Sequence, residues 1–130
     1  MNLKAGDTTT FSKTITDADI RAFAELTGDH NPVHLDDDYA VTTRFGRRIA
    51  HGMLGASLIS ATLARQLPGT VYLSQTLKFI APVFPGDTLT VRVAVKEIRA
   101  DKPIATMETN CYKQDGSLVI TGQAVGLLEA

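Results

Sequence analysis

The sequence predicts an α+β domain in which one long central helix is wrapped by a curved antiparallel β-sheet. Two observations carry this reading. The run MLGASLISATLARQL, from Met53 to Leu67, is apolar almost all round a helical projection, and a helix of that kind is buried against other elements. From Val71 onward the pattern changes to alternation of apolar and polar residues, interrupted by short turn signals, so successive strands pair antiparallel.

The first helix begins at Thr16, a good N-cap, with Asp17 and Asp19 in the turn where the helix dipole favours carboxylates. Ile20, Phe23, Ala24 and Leu26 form its expected apolar stripe, and Gly28 stands where a C-terminal cap belongs. GDHNPVH, from Gly28 to His34, reads as a loop stiffened by Pro32, and Asp36 to Asp38 start a second short helix through Tyr39 and Ala40. The apolar helix comes third, stopped by Pro68 and Gly69.

In the sheet half, Val71, Leu73, Leu77 and Phe79 alternate with Tyr72, Ser74, Thr76 and Lys78. Leu89, Val91, Val93 and Val95 form the cleanest amphipathic strand. Pro85-Gly86-Asp87 and Asp101-Lys102-Pro103 read as turns. Ile104–Tyr112 and Leu118–Leu128 make two further strands joined at Asp115-Gly116. No repeat or linker divides the chain, so residues 1–130 are expected to form one domain.

Composition narrows the function classes. Thirteen basic and fourteen acidic side chains leave a net charge of −1, with no basic stripe, so neither nucleic acid nor a membrane is an expected partner. No apolar run reaches the roughly 18 residues of a membrane span, and the N-terminal MNLKAGDTTTF lacks the apolar core of a secretory signal. The single cysteine, Cys111, fits a reducing interior and reads as a buried, inert thiol in a strand; a cytoplasmic protein is expected.

Three features could carry chemistry. Asp29 and His34 flank Asn31-Pro32, a pairing that favours a turn and would bring carboxylate and imidazole to one side, where they could hold one water for acid–base work. The same residues also read as an Asx-capped turn with a polar histidine, and spacing alone does not choose. His51-Gly52 enters the apolar helix, and a glycine at a helix start offers either an oxyanion-type N–H donor or simply a tight turn. Ser57 and Ser60 share a face of that helix but lack the setting of a nucleophile elbow. His30 and His34 have helical ligand spacing, yet Pro32 and the absence of further ligands argue against a metal. Arg44, Arg47, Arg48, Arg65 and Lys78 are candidates for phosphate contact.

The segments FAELTGDHNPVHLDDDYA and RFGRRIAHGMLGASLIS, continuing through LPGTVYLSQTLKF, PVFPGD and DKPIAT, closely resemble the MaoC-like (R)-specific enoyl-CoA hydratases, which have the hot-dog fold. The resemblance spans nearly the whole chain. It implies reversible syn addition of water to a trans-2-enoyl-CoA, with Asp29 and His34 as the catalytic pair, the Gly52 N–H as oxyanion donor, Ser60 as a pocket residue, and Asn31 holding the loop or touching the ligand. It further implies a homodimer and no cofactor beyond the coenzyme A of the substrate. An acyl-carrier-protein dehydratase, an acyl-CoA thioesterase and a non-catalytic acyl-CoA-binding domain stay as alternatives, and polyester monomer supply and fatty-acid breakdown both stay open as settings. Two positions depart from the family pattern: Arg48, where proline is common, and His30, where an apolar residue is frequent.

Overall fold

In the computed structural model, which describes residues 3–128, the chain runs through β1 (Thr8–Thr14), α1 (Asp17–Thr27), α2 (Pro32–Leu35), α3 (Asp37–Ala40) and α4 (Gly52–Gln66). The sheet half follows as β2 (Val71–Gln75), β3 (Lys78–Phe79), β4 (Thr88–Ile98), β5 (Ile104–Tyr112) and β6 (Leu118–Leu127). The strands form one sheet in the order β1-β4-β5-β6-β2, with β3 also on β6, and every pairing is antiparallel.

Alternation sets what the sheet buries. Leu89, Val91, Val93 and Val95 of β4 turn inward, meeting Leu54, Leu58, Ile59 and Leu63 of α4 together with Met107, Val119 and Ile120. Each such side chain contributes about 1.5–3 kcal/mol on leaving water. Thr16 caps α1 with a complete capping box against Asp19, and Gly28 closes the helix in the left-handed region at φ 79°, as expected. The hairpin between β5 and β6 turns at Asp115-Gly116, where Asp115 accepts from both the backbone N–H and the hydroxyl of Ser117.

Five expectations need correction. The strand β1 was not anticipated, because TTTFSKT has one large apolar residue; it is a threonine-rich strand zipped to β4 by Ser12–Thr90 and Thr14–Thr88 hydroxyl contacts of 2.7 Å. Second, α4 is not buried on all sides: Met53 is 56% exposed, and Ser57, Ser60 and Ala64 continue an exposed stripe at helical spacing. Third, Val71 to Phe79 is not one half-buried strand. A bulge follows Tyr72, the chain leaves the sheet between Gln75 and Lys78, and Val71, Leu73 and Phe79 stay exposed. Fourth, Leu26 lies on the solvent face of α1. Fifth, the segment before His34 is not a plain loop: Pro32 occupies the first position of a helical turn, where its missing N–H leaves no bond unmade.

Candidate active site

The site is assembled by the short turns between α1 and α4. After Gly28 reverses the chain, the Asp29 N–H donates to the Thr27 hydroxyl at 3.2 Å, and the Asp29 carboxylate accepts from the Asn31 N–H at 3.3 Å. Asn31 is the N-cap of α2, its side-chain oxygen accepting from the Val33 N–H at 3.2 Å. One helical turn later His34 comes back to the same side as Asp29. A carboxylate oxygen of Asp29 and one ring nitrogen each of His34 and His51 lie within 4.8 Å of one another. A single water bonded to two groups bridges up to about 5.5 Å, so this spacing admits one.

Hydrogen bonds assign the imidazole tautomers. The Nδ1 of His34 lies 2.8 Å from the Ile49 carbonyl, which only accepts, so Nδ1 carries the proton and Nε2 keeps the lone pair. The Nε2 of His51 likewise donates to the Asp29 carbonyl at 3.0 Å, leaving its buried Nδ1 without a partner. Burial pushes the His34 pKa below the ordinary value of 6.5, and the neighbouring His51 pushes the same way, against the Ile49 carbonyl and Asp29. His34 is therefore a neutral imidazole at pH 7.

A cavity of about 470 Å³ opens on these groups. Asp29, His34, His51 and Gly52 supply its polar wall, and Phe45, Ile49, Phe79, Val83 and Ile120 make most of the rest apolar. Gly52 is the first residue of α4, and His51 provides no side-chain cap there, so the Gly52 N–H belongs to the unpaired set at a helix start. A Cβ at that position would sit 2.8 Å from the Phe79 ring, which would have to move aside.

Of the residues expected at the site, Asp29, His34 and Gly52 are brought together around the cavity. Asn31 acts from behind as a helix cap and does not line it. Ser60 does not join them: it is exposed on α4, about 12 Å along the axis from Gly52 at 1.5 Å per residue, outside the cavity wall. His30 turns away to Glu25, at 3.1 Å, and shares no ligand geometry with His34. The guanidinium of Arg47 lies 3.9 Å over the Phe84 ring beside the cavity residue Val83, Arg65 lies over Phe11, and Arg48 is consumed by ion pairs. His51 also lines the cavity, although no pattern in the sequence assigns it a role. Its only signal was its place before Gly52.

The family model described as a MaoC like domain matches residues 3–115. The chain belongs to the MaoC-like domain family. A protein of Aeromonas caviae named (R)-specific enoyl-CoA hydratase is 49% identical over 126 residues, covering 95% of this chain and 94% of that one. One of the same name from Rhodospirillum rubrum is 45% identical, covering 99% and 90%. The solved (R)-hydratase of A. caviae involved in PHA biosynthesis superimposes with a TM-score of 0.94 over 98% of both chains. The fold is thus the hot-dog fold of that MaoC-like enzyme. No helix among the described residues is long and apolar enough to cross a membrane.

Proposed function

We propose that this MaoC-like chain is an (R)-specific enoyl-CoA hydratase, a hydro-lyase that adds water reversibly and syn to a trans-2-enoyl-CoA, giving the (R)-3-hydroxyacyl-CoA. The observation that carries the assignment to residues is the meeting of the Asp29 carboxylate and the His34 imidazole at one cavity wall beside the start of α4. Near-complete coverage by relatives of that name supports the reaction.

The mechanism follows from the groups present. The thioester carbonyl accepts from the Gly52 N–H, which draws electron density from the conjugated double bond and leaves C3 electrophilic. One oxyanion donor of this kind contributes about 3–4 kcal/mol to the barrier reduction. A water held between Asp29 and the Nε2 of His34 attacks C3 with loss of a proton to the pair, and a proton passes from the pair to C2 on the same face. Such acid–base assistance supplies about 10²–10⁴-fold. The chemistry is proton transfer and carbonyl polarisation, so coenzyme A enters as part of the substrate and no cofactor is assigned.

The protein is further proposed to act as a homodimer in the cytoplasm. Val71, Leu73, Phe79 and Ile80 are each 44–53% exposed on or beside β2, an edge strand whose free backbone groups can pair with a second copy. The lone buried Cys111 accords with a reducing compartment. Sedimentation at micromolar concentration should give twice the monomer mass of 14.0 kDa.

Crotonyl-CoA tests the reaction. Loss of the enoyl absorbance without thiol release, with an (R) product on chiral analysis, is expected; thiol release would instead mark a thioesterase, and preference for the acyl-carrier-protein thioester a dehydratase of that substrate. Asp29→Asn and His34→Ala should each fold and lose about 10²–10⁴-fold in kcat. Activity like that of the unaltered protein in either variant would refute the pair.

A further inference from the structure

The segment between α3 and α4 has no regular structure, yet Arg48 within it is only 14% exposed. Its guanidinium reaches three elements at once. The Nε donates to Asp37 at the start of α3 at 2.7 Å, and one terminal nitrogen donates to Asp17 at the start of α1 at 2.6 Å and to the His34 carbonyl at 3.2 Å. The next residue completes the grip: the Ile49 N–H donates to the Val33 carbonyl at 3.2 Å, and the Ile49 carbonyl receives the His34 Nδ1–H. His34 is therefore held at its main chain by Arg48 and at its ring by Ile49.

Such holding matters because α2 spans only Pro32–Leu35. A single turn does not sustain itself, and its last carbonyls have no helical donor. Arg48 supplies one at the residue whose ring faces the cavity. The planar fork is needed to bond in these directions together, which a lysine ammonium on its flexible stem does not reproduce. Asp37 is 82% exposed and Asp17 44%, so the ion pairs add little stability by themselves. Their geometric effect is to fix where the guanidinium sits.

We propose that Arg48 is a positioning residue for hydration, acting through His34: it anchors the turn that aims the imidazole at the cavity and keeps the Ile49 carbonyl on Nδ1. The proposal rests on His34 being half of the catalytic pair. Arg48→Met and Arg48→Lys are the test. With crotonyl-CoA well below the melting temperature, kcat should fall about 10-fold or more in Arg48→Met, and nearly as far in Arg48→Lys, because small misplacement of a reacting group costs rate steeply. KM should stay within about two-fold, since the substrate binds the apolar cavity and Gly52. Nitrogen-15 shifts of His34 give a readout that needs no turnover. The unaltered protein should show a single Nδ1–H tautomer and Arg48→Met a mixture. Unchanged kcat with an unchanged tautomer would overturn the proposal even if melting dropped. A lost tautomer preference in a protein that hydrates nothing would uphold the anchoring and sink the hydratase assignment instead.

Discussion

The imidazoles of His34 and His51 pack against each other in a tilted arrangement, their centroids 3.9 Å apart and their planes inclined by 32°. His51 also donates to the Asp29 carbonyl and packs on Phe23, with ring centroids 4.9 Å apart. One buried side chain thus touches both members of the proposed pair.

His51→Phe keeps the ring stack and removes the donor to Asp29. We expect kcat to fall by about 10–100-fold through displacement of the Asp29 loop, while His51→Gln, whose amide can reach the same carbonyl, recovers part of it. Steady-state kinetics on both variants decide; equal activity in the phenylalanine variant and the unaltered protein would leave His51 as packing alone.

The His34 environment fixes the sign of a pH effect. Its pKa lies below 6.5 because burial and then His51 disfavour the imidazolium, against Asp29 and the Ile49 carbonyl, while Arg48 binds only its backbone. With neutral His34 required, kcat/KM should fall on the acid side with its midpoint below pH 6.5. Stability follows the same direction. The unfolded chain takes up this proton more readily than the native one, so the contribution is whole above pH 6.5 and is lost as pH falls from there to the lower native value. A pH–rate profile with its acid midpoint above 6.5 contradicts this.

Legibility in the sequence followed the physics of each element. The strands β4 to β6 were readable because their inward residues alternate cleanly, and α1 because Thr16, Asp19 and Gly28 are caps with one meaning each. Between α1 and α4, proline misled: Pro32 reads as a breaker until one knows that it stands first in its turn. The exposed face of α4 reads as buried because an apolar pattern says that a surface avoids water and not which molecule covers it. Spacing and turn chemistry offer Asp29 and His34 as one of two readings and the family resemblance chooses between them, whereas the roles of His51 and Arg48 depend on contacts across 22 and 14 positions that no local pattern records.

Cys111 is fully buried in β5, and burial pushes its thiol up to about 12. Since the thiolate is the reactive form, the native protein should resist iodoacetamide at pH 8 and become fully labelled in denaturing urea. Mass spectrometry of the labelled chain measures this; rapid labelling of the folded protein would mean that the sheet opens locally around β5.

Gly122 of β6 offers the sharpest stability prediction. A Cβ there would lie 1.9 Å from the Thr76 carbonyl oxygen and 2.8 Å from its carbon, both backbone atoms. Thr76 has little room to withdraw: its N–H donates to the Gln123 carbonyl at 2.9 Å, and its hydroxyl accepts from the Gln123 N–H at 3.0 Å. Gly122→Ala should therefore part the link between β2 and β3 and cost about 3 kcal/mol or more, in the range of overpacking without relief. Because β3 carries Phe79 to the cavity wall, turnover should fall as well. Gly116→Ala is the matched comparison, since its left-handed φ of 85° carries strain but its Cβ would meet open space. That change should cost only about 1 kcal/mol. Urea unfolding of the two variants side by side tests the ordering, and equal losses would mean that the β2–β3 crossing yields more easily than its hydrogen bonds imply.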